Sequence, residues 1–283
     1  MADPAASPEL VASFFTLSGS GFAEPPRTGF AERCHAAAEA GFAAIGLHAD
    51  DLPRTVASGL DADGMRGVLA ETGLRVVEIE FLGGWALDGP DLALVAGIDA
   101  VADEFGGRHV STGEFRDGAL DLDAAAARLR ELALHFGARG LRLAVEAFPW
   151  SALGSPDTAM ELLRRADTPH AGLLVDVWHF FNCGSRPEQL AALPSGSIAA
   201  VQLNDGPLVH DDFLRHARAE RKLPGEGDLD VVGLVRAVAA TGFAGPWCVE
   251  SNTPEFRALP AGEAAKRAAA AARAVLEEAL SRP

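Results

Sequence analysis

The chain has 283 residues, 48% of them hydrophobic and 23% charged. That is enough apolar material for one large core, and α/β barrels reach this length as single units. The formal net charge of −16 argues against a nucleic-acid surface, which needs a basic patch, and is read as solubility. Cys34, Cys183 and Cys248 are far apart and form no C-x-x-C pair, so they read as free thiols, not a disulfide frame or a zinc site. No apolar run is long enough to span a bilayer, and residues 1–10 lack the pattern of a signal peptide. The expected compartment is the cytoplasm.

In chain order, residues 1–10, with Pro4 and Pro8, form a loose lead-in. Short apolar, β-branched runs predict strands at 11–17, 42–48, 75–81, 108–112, 141–146, 171–176, 197–203 and 246–250. Helices are expected at 30–40, 92–104, 122–136, 158–166, 229–240 and 261–280, with a shorter one at 187–193. Gly41 closes the first helix in the left-handed stop position, and the order helix, glycine, strand recurs at Gly73, Gly106, Gly137 and Gly242. Strands alternating with helices imply a parallel sheet, because each crossover returns the chain in the same direction. The Ser18-Gly19-Ser20-Gly21 loop carries no G-x-G-x-x-G, which argues against an open dinucleotide-binding sheet. Eight strands with polar residues gathered at their carboxyl ends predict instead a single-domain (β/α)8 TIM barrel over 1–283, whose site sits on that rim. The longest irregular segment, 204–228, is where a functional loop is expected.

Four strand ends break from apolar to polar: Leu143-Ala144-Val145-Glu146, Leu174-Val175-Asp176, Ala200-Val201-Gln202 and Cys248-Val249-Glu250. A lone carboxylate there is costly to desolvate, whereas four oxygen-bearing groups on consecutive strands can share one cation. Glu146, Asp176, Gln202 and Glu250 are therefore the candidate ligands of a divalent metal. Such an oxygen-rich set suits Mn²⁺, with Mg²⁺ or Co²⁺ as alternatives, better than Zn²⁺. His179, three residues past Asp176, is a candidate proton carrier, substrate contact or support for a ligand. The basic run Arg215, His216, Arg218, Arg221 and Lys222 invites an anionic or hydroxyl-rich substrate, with Arg218 and Arg221 as the candidates to grip it. On the other half of the rim His48 and Glu80 are candidate substrate contacts. His109 reads rather as a core-edge histidine, and Cys183 has no base beside it.

The set Val-Glu146, Val-Asp176-x-x-His179, Val-Gln202-x-x-Asp205, Pro224-Gly225-Glu226-Gly227 and Val-Glu250 resembles the xylose isomerase-like TIM barrels, the sugar-phosphate isomerase/epimerase group. The likeness runs from the first strand to the last helix and is sharpest over 143–250. It implies that Glu146, Asp176, Gln202 and Glu250 bind the metal and that His179 contacts substrate. Epimerases of the group usually carry His where this chain has Gln202; Gln there is similar to the 3-dehydroshikimate dehydratases.

A metal beside an α-hydroxyketone polarises the carbonyl and stabilises the enediolate formed when the α-proton leaves. Glu146 and Glu250 are the candidates to remove and return that proton. The first expectation is an isomerase or epimerase of a sugar or polyol ketone; the alternative is a β-eliminating dehydratase, favoured by Gln202 and the basic loop. No nucleic-acid or membrane partner is expected, and a homo-oligomer stays open.

Overall fold

The computed structural model describes residues 8–22 and 24–281, so most of the expected lead-in lies outside the described residues. Eight parallel strands close into a barrel in chain order. They are β1 (Leu10–Ala12), β2 (Ala44–His48), β3 (Arg75–Gly83), β4 (His109–Gly113), β5 (Arg142–Glu146), β6 (Ala171–Asp176), β7 (Ile198–Leu203) and β8 (Trp247–Val249). Closure is made by β8 on β1, with Val11 opposite Cys248. The main core lies between this barrel and the surrounding helices, where Phe30, Ile98, Leu129, Phe136, Leu162 and Leu234 are buried against strand residues such as Val110 and Val201.

Side chains alternate along a strand, so the residues facing the lumen form their own clusters. Ala144, Leu174 and Ala200 make one with Ala199, while Val11, Ala44 and Cys248 make another with Val77. Most of these are small. The narrow lumen is thereby filled, and Glu146, Asp176 and Gln202, two residues further along their strands, are lifted to its carboxyl end. Asp176 pairs with Gln202 across β6 and β7, and the Glu250 N–H donates to the Leu203 carbonyl at 3.0 Å.

The expected strand at 11–17 is overturned beyond residue 12. After Ser13 the chain turns into a short helix, Phe14–Leu17, all four residues buried. A short apolar run has the same appearance whether it is buried as strand or as helix. What decides here is tertiary: the Phe14 N–H donates to Glu80 Oε1 at 3.2 Å and the Thr16 hydroxyl to the Val249 carbonyl at 2.7 Å. Conversely, β3 outruns its expected end by two residues, reaching Gly83. Helix starts follow their caps: Ser155 accepts from the Thr158 N–H with Pro156 opening the helix, and Asp230 accepts from the Gly233 N–H and begins Val231–Ala240.

Candidate metal and active site

Glu146 closes β5 and Asp176 closes β6, and His179 sits in the helix Val177–Asn182 that Asp176 caps. Asp176 Oδ1 accepts from the His179 N–H at 2.8 Å, which fixes the histidine one turn above the carboxylate. Glu146, Asp176 and His179 are all buried, and one ligand atom from each lies within 4.8 Å of the others. His179 Nε2 is 3.7 Å from Glu146 Oε1, while its Nδ1 is buried without a hydrogen-bond partner. The edges of Phe148 and Trp150 pack on the imidazole and wall it off.

Glu250, just past β8, joins Asp176 through Arg221. The guanidinium is 1% exposed. Its Nη2 donates to Glu250 Oε1 at 2.6 Å and its Nη1 to Asp176 Oδ2 at 3.3 Å. Its Nε donates to the Ala217 carbonyl at 3.0 Å, and the group lies 5.1 Å from the Phe22 ring centroid. Asn204 Nδ2 adds a 2.6 Å bond to Asp176 Oδ2. Gln202 is buried on β7, and its Nε2 donates to Glu78 Oε1 at 3.0 Å.

Of the expected substrate contacts, Arg221 is in this constellation, and Glu80 is buried at the floor of the mouth. His48 is partly exposed at the end of β2 beside Phe14 and Phe15. Arg218 is not brought in. It is exposed on the helix Phe213–Ala219, three residues before Arg221, and only its backbone carbonyl is used, by Arg257. The helical turn between the two arginines sends one outward and the other under the loop. That loop is tied down by Asp205, which accepts from the backbone N–H groups of Gly206, Gly225 and Leu229 at 2.8, 3.1 and 3.0 Å. Gly227 is required there, since a Cβ would lie 2.3 Å from the Gly206 nitrogen.

Sequence reasoning missed Glu78, Asn204 and the bridging role of Arg221. The signal for Glu78 was the alternation Val77-Glu78-Ile79-Glu80, which puts two acids on one face of β3. Both fit because Gly46 faces them: a Cβ there would meet Glu78 Oε2 at 3.0 Å and Glu80 Oε1 at 3.1 Å.

The electrostatics are those of a negative basin. Burial, then the charges of Asp176 and Glu250, push the Glu146 carboxyl well above the usual range. Burial raises Glu250 to about 7 and also raises Asp176, with Arg221 opposing both shifts. Burial and the Glu78 charge push the Glu80 carboxyl well above the usual range. Burial works against the Arg221 charge, yet Glu250, Asp176 and Glu146 outweigh it and strengthen the guanidinium's hold on its proton. Burial, helped by Arg221, keeps His179 neutral. Neutral imidazole beside carboxylates is the protonation state of a metal ligand or its neighbour. Surplus buried negative charge, an unpartnered imidazole nitrogen and clustered oxygens together fit a divalent cation.

A closed parallel barrel with acidic and histidine side chains converging at its carboxyl end is the class of a barrel enzyme with a metal site. The chain belongs to the xylose isomerase-like TIM barrel family, whose model matches residues 34–278. It is 38% identical over 133 residues to a 3-dehydroshikimate dehydratase of Pseudomonas aeruginosa, a match covering 47% of this chain and 21% of that protein. It is 28% identical over 131 residues to an inosose isomerase of Bacillus subtilis, covering 46% of each. The matches thus span less than half the length of these curated relatives. The solved structure of the IOLI protein, described with a binding zinc atom, shares the fold at a TM-score of 0.81 and 18% identity, covering 97% of this chain and all of that one. Among the described residues no helix is long and apolar enough to cross a membrane.

Proposed function

We propose that the chain is a divalent-metal-dependent dehydratase of a carboxylated, polyhydroxylated ketone, of the 3-dehydroshikimate kind, working as one barrel domain. Glu146, Asp176, Gln202 and Glu250 would hold the cation, with His179 beside them; Mn²⁺ is the first candidate, with Mg²⁺, Co²⁺ and Zn²⁺ to be compared. Bound there, such an ion supplies the positive charge on which a developing oxyanion depends.

The observation that carries this reading is the likeness to the Pseudomonas dehydratase, 38% identity over 133 residues. The amide at Gln202 points the same way. Arg221, whose nitrogens are engaged by Glu250, Asp176 and the Ala217 carbonyl, adds positive charge beneath the site that favours an anionic substrate.

The chain's own groups then have separate tasks. Glu250, a buried carboxylate at the end of β8, would take the proton from the carbon next to the ketone. The C–O bond one carbon further breaks, and the departing hydroxyl takes up a proton, so the substrate loses one water in all. His179, neutral and against Phe148 and Trp150, would hold that hydroxyl by a hydrogen bond, and the proton taken up by Glu250 would be passed to it as it leaves. Burial of the mouth keeps bulk water from reprotonating the carbanion.

Epimerisation or isomerisation is the second reading. Two carboxyls at the ends of different strands, Glu146 and Glu250, would allow a proton to leave one face and return to another, and the Bacillus isomerase is a relative. Both readings share the first step, and one experiment separates them. Metal-loaded protein is incubated in D₂O with 3-dehydroshikimate and, separately, with cyclic and open-chain ketoses. A new aromatic absorbance with release of water supports the dehydratase. Deuterium entering a ketose without elimination supports the isomerase, and neither elimination nor exchange with any of them overturns both.

A further inference from the structure

Glu78 lies one layer below the proposed ligands and collects more side-chain donors than any of them. Its Oε1 accepts from Gln202 Nε2 at 3.0 Å, Ser111 Oγ at 3.0 Å and His109 Nε2 at 3.2 Å. Its Oε2 accepts from Cys248 Sγ at 3.3 Å. These partners come from β4, β7 and β8, so one carboxylate ties half the barrel interior together. The residue is fully buried.

A carboxamide has a donating end and an accepting end, and only the oxygen is a metal ligand. Rotating the end of a glutamine side chain by half a turn exchanges the two at little intrinsic cost. A glutamine in a ligand position therefore needs something to hold its NH₂ away from the cation. Among the described residues Glu78 is the acceptor bonded to Gln202 Nε2, and no donor is bonded to Gln202 Oε1.

We infer that Glu78 is the positioning residue of the metal centre: it anchors the Gln202 NH₂ from below and so commits Gln202 Oε1 to the cation. Ser111, His109 and Cys248 hold Glu78 itself in place, and Gly46 provides the room for it. The assignment rests on Gln202 being a ligand, as proposed above. Partners of this kind, which orient a ligand without touching the metal, are worth roughly 10- to 100-fold in metal affinity.

The test is a double-mutant cycle on Mn²⁺ affinity, read from the electron paramagnetic resonance of free Mn²⁺ with no substrate present. The variants are Gln202→Ala, Glu78→Met and their combination, with Glu78→Gln as the conservative change. Each of the first two is expected to weaken binding at least tenfold, and the double variant to be no weaker than Gln202→Ala, because the residues act as a unit. Glu78→Gln keeps an acceptor oxygen and is expected to stay within about threefold of the unsubstituted protein. Normal binding in Glu78→Met, additive losses in the double variant, or a Glu78→Gln as weak as Glu78→Met overturns the inference while leaving the metal centre standing. Undiminished binding in Gln202→Ala overturns the ligand role of Gln202 and this inference with it. Should Glu78→Met fail to fold, the Gln202 side-chain NH₂ resonances of the Mg²⁺-loaded protein, assigned by their loss in Gln202→Ala, decide the same question. Slow exchange and a shift on Glu78→Gln support the anchor; exchange at the rate of a free amide overturns it.

Discussion

Replacing Arg221 by Met tests the charge balance of the basin. Met fills much of the same volume against Phe22 but removes the cation that reaches Asp176 at 3.3 Å and Glu250 at 2.6 Å. Breaking a buried pair by deleting one partner costs about 3–5 kcal/mol, because the other partner stays buried and uncompensated. Here two carboxylates lose their partner and Glu146 loses a nearby positive charge, so the upper half of that range applies to metal-free protein at pH 8. For a chain of this size that corresponds to a fall in Tm of roughly 10 °C. The assay is thermal unfolding of both proteins after chelation, repeated in saturating Mn²⁺. A divalent ion replaces the missing charge, so Mn²⁺ is expected to raise the Tm of Arg221→Met by more than that of the parent. Arg221→Lys should fall between, since an ammonium is a single point charge that cannot fork across both acids. A drop of less than about 2 °C, or an equal Mn²⁺ effect in both proteins, refutes the account of Arg221 as the counter-charge of an acidic metal basin.

Glu250→Gln should lower turnover by at least about a hundredfold while leaving the fold intact, as loss of a general base does; deuterium exchange into substrate is the readout, and retained exchange moves the base to Glu146. In metal-free protein Glu250 has its pKa raised to about 7, above its unfolded value, so its contribution to stability is full below the ordinary carboxylate range and is lost as pH rises through about 7. Urea midpoints of chelated protein should therefore fall between about pH 4.5 and pH 7, and the fall should shrink when Mn²⁺ is present; a midpoint that rises over that window contradicts the shift. Asp205→Ala strips the acceptor from three backbone N–H groups of the loop that carries Arg221. Limited proteolysis should cut that loop several-fold faster, at a cost of about 1–3 kcal/mol in global stability, and an unchanged cleavage pattern would show that the loop holds itself.

The barrel was legible because its signals repeat. Glycines between helix and strand, short β-branched runs and polar strand ends recur along the chain, and each of the eight expected strands overlaps an observed one. Residues 13–17 misled because Phe14, Phe15 and Leu17 are buried in either conformation, and the helix is chosen by Glu80 and Val249, far along the chain. The helices Asp51–Ala57 and Ala62–Thr72 lacked a clear apolar stripe: Asp51 is held by Arg33 from another helix, and Met65 is the one residue buried in the second. In the site, Glu146, Asp176, Gln202 and Glu250 stood out as polar interruptions of apolar strands. Arg218 and Arg221 looked alike in the sequence, and only the end of the helix between them separates a solvated side chain from a buried one. Glu78 was harder to single out, because its importance lies in partners on three other strands.

Gly46 sets a limit on how this barrel can change. Two acids occupy the space that a side chain at 46 would claim, so the smallest enlargement there presses on both at once. An alanine would require the Glu78 and Glu80 carboxylates to give way by a few tenths of an ångström, disturbing the bonds they make to Gln202 and to the Phe14 amide. Position 46 is in that sense a depth stop for the barrel mouth: a side chain there and the two acids of β3 compete for the same space.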